Sequence, residues 1–180
     1  GTMAPLAIGT ILMVMVYAGG HISGAHYNPA VTIAVWLRGK CKAAEVPGYL
    51  GAQAAGAVLA AFLVGYLKRG SYIEAMRPDV WPALLVELVF TFALAYVVLN
   101  VATAKKTAGN SYFGLAIGFT VMAGAYAAGN ISGGVFNPAV AIGLTLMGLS
   151  APSNLWLYLA ATFAGGALAA LAFRRTNPDG

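Results

Sequence analysis

The chain has 180 residues, 60% of them hydrophobic and 8% charged, with a mean hydropathy of +0.79. A soluble domain carries roughly 25% charged residues, so this composition excludes a fold that must clothe itself against water on all sides. The net charge of +5 is then read as membrane topology, and a nucleic-acid partner is not expected.

In chain order, the first apolar segment covers about 3–19, somewhat short of the roughly 20 residues a bilayer needs. A ten-residue apolar piece follows at 29–38. It opens on Pro29 with Asn28 as its N-cap and closes near Gly39. Spanning helices are expected next at 45–67 and 81–103, and a second short one at 112–129. A second ten-residue piece at 138–148 opens on Pro138 behind Asn137 and closes at Gly148. The last span is expected at 154–173. Neither short piece can cross a bilayer, so both are half-helices entering part-way. A signal or transit peptide explains one apolar segment, not five. The expected class is an all-α, multi-pass membrane protein embedded in a lipid bilayer.

Basic residues orient the segments. Arg38, Lys40, Lys42, Lys105, Lys106, Arg174 and Arg175 fall on one side of the alternating spans, which the positive-inside rule makes cytoplasmic, C-terminus included. The same alternation puts Gly1 on the other side.

Residues 20–34, GHISGAHYNPAVTIA, and 129–143, GNISGGVFNPAVAIG, are nearly the same phrase. Aligned without gaps at an offset of 109, segments 8–39 and 117–148 share 16 identities in 32 positions. Asn, Pro, Tyr and Ser are among them, which two compositionally similar helices would not match by chance. An odd number of spans separates the copies, so they cross the membrane in opposite directions. The chain is one channel-like domain over 1–180, with an incomplete first repeat at about 1–69 and a second at about 81–175. In such inverted repeats the special sites lie near the bilayer midplane.

Two half-helices meeting there bring together two N-termini, each worth roughly +0.5 charge in unpaired N–H groups. Asn28 and Asn137 add amide donors at the same place. A neutral solute with an oxygen can pass such a constriction, while a cation meets a barrier. No nucleophile–base pair, phosphate loop or metal cluster is evident, so no enzyme activity, cofactor or metal is expected. His21 and His26 flank the first box as candidate pore-lining residues. Cys41, between Lys40 and Lys42, has two readings, a thiol activated by its cationic neighbours or an inert loop thiol, and the second is preferred.

The boxes Asn28-Pro29-Ala30 and Asn137-Pro138-Ala139, in HISGAHYNPAVTIAVW and NISGGVFNPAVAIG, resemble the paired NPA boxes of the major intrinsic proteins, the aquaporins and glycerol facilitators. The first half, with GHISG and EVPGYLGAQAAGA, is closest to the bacterial water channels, which implies a bacterial-type plasma membrane. The resemblance implies a right-handed bundle of six spans and two half-helices, assembled as a homotetramer. It also implies a passive pore for water or small neutral solutes. Five spans are seen here, so the family's first span and its glutamate are expected to be missing. The second-repeat counterpart of that glutamate is Glu87, expected to brace the second loop. The family's selectivity filter maps onto Ile8, Ala125, Gly134 and Val140. The family's water channels have Arg where Val140 stands, so an apolar ring of Ile8, Ala125 and Val140 is expected. A facilitator for glycerol, urea, ammonia or gases is the alternative function, and a non-conducting scaffold is the alternative of another class.

Overall fold

A computed structural model describes residues 3–69 and 74–178; Gly1, expected outside the cytoplasm, lies beyond them. Among the described residues there are seven α-helices and no strand. They are α1 (Ala4–Ser23), α2 (Pro29–Leu37), α3 (Val46–Leu67), α4 (Val80–Thr103), α5 (Phe113–Ser132), α6 (Pro138–Leu146) and α7 (Leu155–Thr176). Five of them are long and apolar enough to cross a membrane, and α2 and α6 have nine residues each.

The two spans expected to be short are not short. Helices α1 and α5 both have 20 residues and run on through His21 and Asn130 to Ser23 and Ser132. Polarity does not end them. Each stops where the next residue, Gly24 (φ 73°) or Gly133 (φ 92°), turns left-handed and donates its N–H back to Gly20 or Gly129. Only glycine adopts that turn without steric cost.

The offset of 109 that relates the sequence repeats also relates α1 to α5, α2 to α6 and α3 to α7. Helix α1 crosses α5 where Gly9 and Gly118 meet. A Cβ on Gly9 would lie 2.6 Å from the Gly118 carbonyl oxygen, and one on Gly118 would lie 2.5 Å from that of Gly9. Small residues give membrane helices this approach, because lipid supplies no hydrophobic force to join them. Half-helix α2 packs on α7 at Ala30 and Gly166, as α6 packs on α3 at Gly143 and Ala57.

Helix α4 lies along α7, its backbone against Gly165. The repeat partner of Gly165 is Gly56 on α3, and nothing stands within 4 Å of a Cβ built there. Only 6% of the apolar window of α3 is buried, against 44% for α7. The described residues therefore leave a groove of about 850 Å³ between α3 and α6, in the place that mirrors α4. Trp81 and Trp156 are exposed on the outer surface, as expected of side chains that face lipid or its interface.

The close crossing of α1 and α5 predicts the effect of filling it. Gly118→Leu should destabilise the protein by about 1–3 kcal/mol, read as a lower unfolding temperature in detergent. Gly129→Ala, on the same helix with open space around it, should change stability by less than about 0.5 kcal/mol.

Candidate pore constriction

Asn28 and Asn137 take nearly identical extended conformations, with φ −154° and −156° and ψ 119° and 117°. The side-chain oxygen of each accepts the N–H of the second residue of its own half-helix, Ala30 or Ala139, at 2.9 Å. With Oδ1 committed to the cap, Nδ2 must face away from the helix. Asn28 Nδ2 donates to the Phe136 carbonyl at 2.8 Å, and Asn137 Nδ2 donates to the Tyr27 carbonyl at 2.9 Å. Each asparagine therefore caps its own half-helix and holds the loop before the other one.

The two carbonyls that receive these bonds belong to strained residues. Tyr27 has φ 47° and Phe136 φ 48°, and Ala25 a further 49°. Non-glycine residues rarely occupy this left-handed region, and they cluster where surrounding structure over-determines the backbone. At Phe136 the clamp is double. Its carbonyl is held by Asn28, and its N–H donates to Glu87 Oε2 at 2.6 Å.

Glu87 is fully buried on α4. Its Oε1 accepts Ser132 Oγ–H at 2.6 Å and the Val135 N–H at 2.8 Å. Three donors converge on one carboxylate, which suits a group that only accepts when ionised. Tyr158 on α7 adds a bond from its hydroxyl to the Ser132 carbonyl at 2.7 Å.

The first loop is held differently. Tyr49 on α3 donates to the Ser23 carbonyl at 2.7 Å, the repeat equivalent of the Tyr158 bond. Thr32 then makes bonds that have no counterpart at Ala141. Its hydroxyl donates to the Asn28 carbonyl at 3.1 Å and accepts Gln53 Nε2–H at 2.9 Å. His26 Nδ1 lies 3.2 Å from the same oxygen. With the Thr32 proton directed to Asn28, His26 Nδ1 is placed to donate to this oxygen. The imidazole stacks on Tyr49 at 4.6 Å. Tyr158, which the sequence suggests as an interfacial or lipid-facing residue, is instead fully buried, its hydroxyl taken up by the second loop; Tyr49, Thr32 and Gln53 were not singled out from sequence. The tyrosines had a signal, an identity at the same offset of 109 lying beyond the aligned window.

A cavity of about 990 Å³ runs past the constriction. Ile8, Gly134 and Val140 line it on one side of the asparagines, and Lys40, Lys105 and Asn110 on the other, with His26 between. Two residues expected at the pore are not among those that line the cavity. Ala125 is buried and does not line the cavity; it stands behind Gly134, whose added Cβ would meet Ala125 Cα at 3.2 Å. The expected apolar ring is thus a wall of Ile8 and Val140 with bare Gly134 backbone. His21 is exposed on the last turn of α1, outside the cavity lining. Cys41 is not activated by the lysines beside it. Burial, and then the carboxylate of Glu45, push its thiol above the usual range, so the inert reading fits. Among the described residues no three His, Cys, Asp or Glu side chains are grouped so as to hold a metal ion.

Residues 2–173 match the family model described as Major intrinsic protein. The chain belongs to the major intrinsic protein family. Among similar proteins, aquaporin NIP1-4 of Oryza sativa subsp. japonica is 39% identical over 172 residues, covering 93% of this chain and 62% of the relative. The putative aquaporin NIP4-1 of Arabidopsis thaliana is 37% identical, covering 84% of this chain and 54% of the relative. The chain thus spans less than two thirds of the length of either. Both are plant proteins, so these relatives do not point to a bacterial-type membrane. The aquaglyceroporin from Plasmodium falciparum has the same fold, with a TM-score of 0.82 at 24% identity over 96% of this chain and 81% of its own.

The Glu87 clamp predicts a graded loss. Glu87→Gln leaves two N–H groups and one hydroxyl facing a neutral amide. It should cost about 1–3 kcal/mol for each donor left unpaired, measured as a lower unfolding temperature in detergent. Glu87→Asp, which keeps the charge and shortens the reach, should fall between the unmodified protein and Glu87→Gln.

Proposed function

We propose that this chain forms one channel domain conducting water and small neutral solutes passively across a membrane, as its family membership suggests. The observation that carries the reading is the reciprocal bonding of Asn28 and Asn137. It commits one Nδ2–H of each asparagine to a carbonyl and leaves the second, together with two helix N-termini, for a solute at one point of the cavity. Donors of this kind replace the hydration of a neutral solute's oxygen and raise the energy of a cation at the same point. Pro29 and Pro138 pre-set the first turn of each half-helix, so that the N–H groups point inward without rearrangement.

The filter lies at Ile8, Gly134 and Val140, with Ala125 supporting Gly134 from behind. This wall has no fixed charge and no side-chain donor. A second reading, passage of larger neutral solutes such as glycerol or urea, is favoured by Val140, which is 43% exposed. Arginine there would offer a fixed charge and five N–H donors. The end of the bundle that carries Arg38, Lys40, Lys105 and Arg174 is the cytoplasmic end, and the working assembly is a homotetramer with a pore in each subunit.

Reconstituted vesicles test the proposal. After an osmotic step, vesicles holding the protein should shrink faster than empty ones, and no acceleration for water, glycerol, urea or ammonia would defeat it. Val140→Arg should cut glycerol and urea flux by about ten-fold, a change of roughly 1.4 kcal/mol in barrier height, and water flux by less. If the solute preference is unmoved, the filter lies elsewhere.

A further inference from the structure

The second loop is pinned at both ends and bare in the middle. Ser132 is held by Glu87 and Tyr158, and the N–H groups of Val135 and Phe136 are held by Glu87. Between them stand Gly133 and Gly134, both left-handed (φ 92° and 63°) and both lining the cavity. Their N–H groups bond only locally, Gly133 to the Gly129 carbonyl and Gly134 to Ser132 Oγ at 3.2 Å. Without side chains to anchor it, a glycine pair changes backbone conformation at little steric cost. What packs behind these two residues therefore decides where this part of the cavity wall stands.

Behind Gly134 that is Ala125, and behind Gly133 it is Met76. A Cβ built on Gly133 would lie 2.7 Å from Met76 Sδ and 2.8 Å from its Cε. The next nearest described atom, 3.8 Å away, is Val135 Cγ2 of the same loop. Met76 itself is not among the residues that line the cavity. It lies between α3 and α4, and its backbone is fastened to the segment that follows α6. Its N–H donates to the Leu149 carbonyl at 2.9 Å, its carbonyl accepts Asn154 Nδ2–H at 3.3 Å, and it forms a β-bridge with Ser150. One residue is thus tied to the exit of α6 and presses its side chain on the loop before α6. The first loop has no such support among the described residues. A Cβ on Gly24, the repeat equivalent of Gly133, would meet only His26 of its own loop, at 3.2 Å.

We propose that Met76 is a positioning residue for solute size. Through Gly133 it sets how far the cavity wall stands forward on the side of Ile8, Gly134 and Val140. A methionine thioether fills an irregular gap well, and here the gap is the back of a pliable backbone. A smaller side chain leaves space that the surroundings fill only in part, and the unanchored glycines are the group free to retreat into it. A bulkier one overfills the space and drives them forward. Clearance for glycerol or urea changes in either case, while water, being smaller, is affected less.

The inference rests on the channel reading above, and the test separates the two. Proteoliposomes of the full chain are assayed for water by an osmotic step and for glycerol and urea by the re-swelling that follows. The ratio of solute to water permeability does not depend on how much protein folds and inserts. It should climb along M76L, M76V and M76A, with M76L equal to the unmodified protein and M76A several-fold above it. In M76F the ratio should fall below that of the unmodified protein. A protein merely loosened by these changes would lose both permeabilities together and keep its ratio. Should M76A fail to insert, the order of M76F, M76L and M76V decides by itself. A ratio unmoved across the series, or one that departs in M76L as far as in M76A, would overturn the role of Met76 and leave the channel standing. Failure of the unmodified protein to accelerate water or any neutral solute would overturn both.

Discussion

The arrangement depends on one exchange of hydrogen bonds. Each asparagine commits its oxygen to its own half-helix and its nitrogen to the loop before the other. Neither half-helix spans the membrane, and neither has a hydrophobic reason to stop half-way. What stops them at a common depth is that the tip of each is the hydrogen-bond acceptor of the other. Irregular backbone at membrane depth survives only where it is bonded within the protein or lines water, and here it does both.

Strain and support are balanced around that exchange. Tyr27 and Phe136 hold left-handed backbone that costs of order 1–3 kcal/mol each, and each presents its carbonyl to an asparagine because of that conformation. The two repeats hold the strain in place by different chemistry. The second loop hangs on the carboxylate of Glu87, while the first rests on a neutral network of Thr32, Gln53, His26 and Tyr49. Where α4 delivers Glu87 to the second loop, the described residues have no matching helix at the first.

Electrostatics along the cavity are equally lopsided. Positive potential is concentrated at the half-helix tips, and the cavity wall at Ile8, Gly134 and Val140 carries no charge. The plant aquaporins share the family, and the solved aquaglyceroporin shares the fold.

Composition and periodicity alone determined the solvent, the five spanning helices, the two half-helices and their caps. Each of these is a local property of ten to twenty residues and the medium around them. The repeat further determined which residues are equivalent, so that Asn28 and Asn137 are matched by their shared offset alone. Only the tertiary structure decided which groups face one another across about a hundred residues of chain. It sent the amide of Asn28 to Phe136, moved Ala125 behind Gly134, left His21 outside the cavity and brought Lys40 to the same mouth as Lys105. The reason is physical. These contacts depend on how close α1 and α5 can approach at Gly9 and Gly118 and on where two left-handed glycines end their helices. Distances of that kind are summed over the whole bundle and are not written in any one segment.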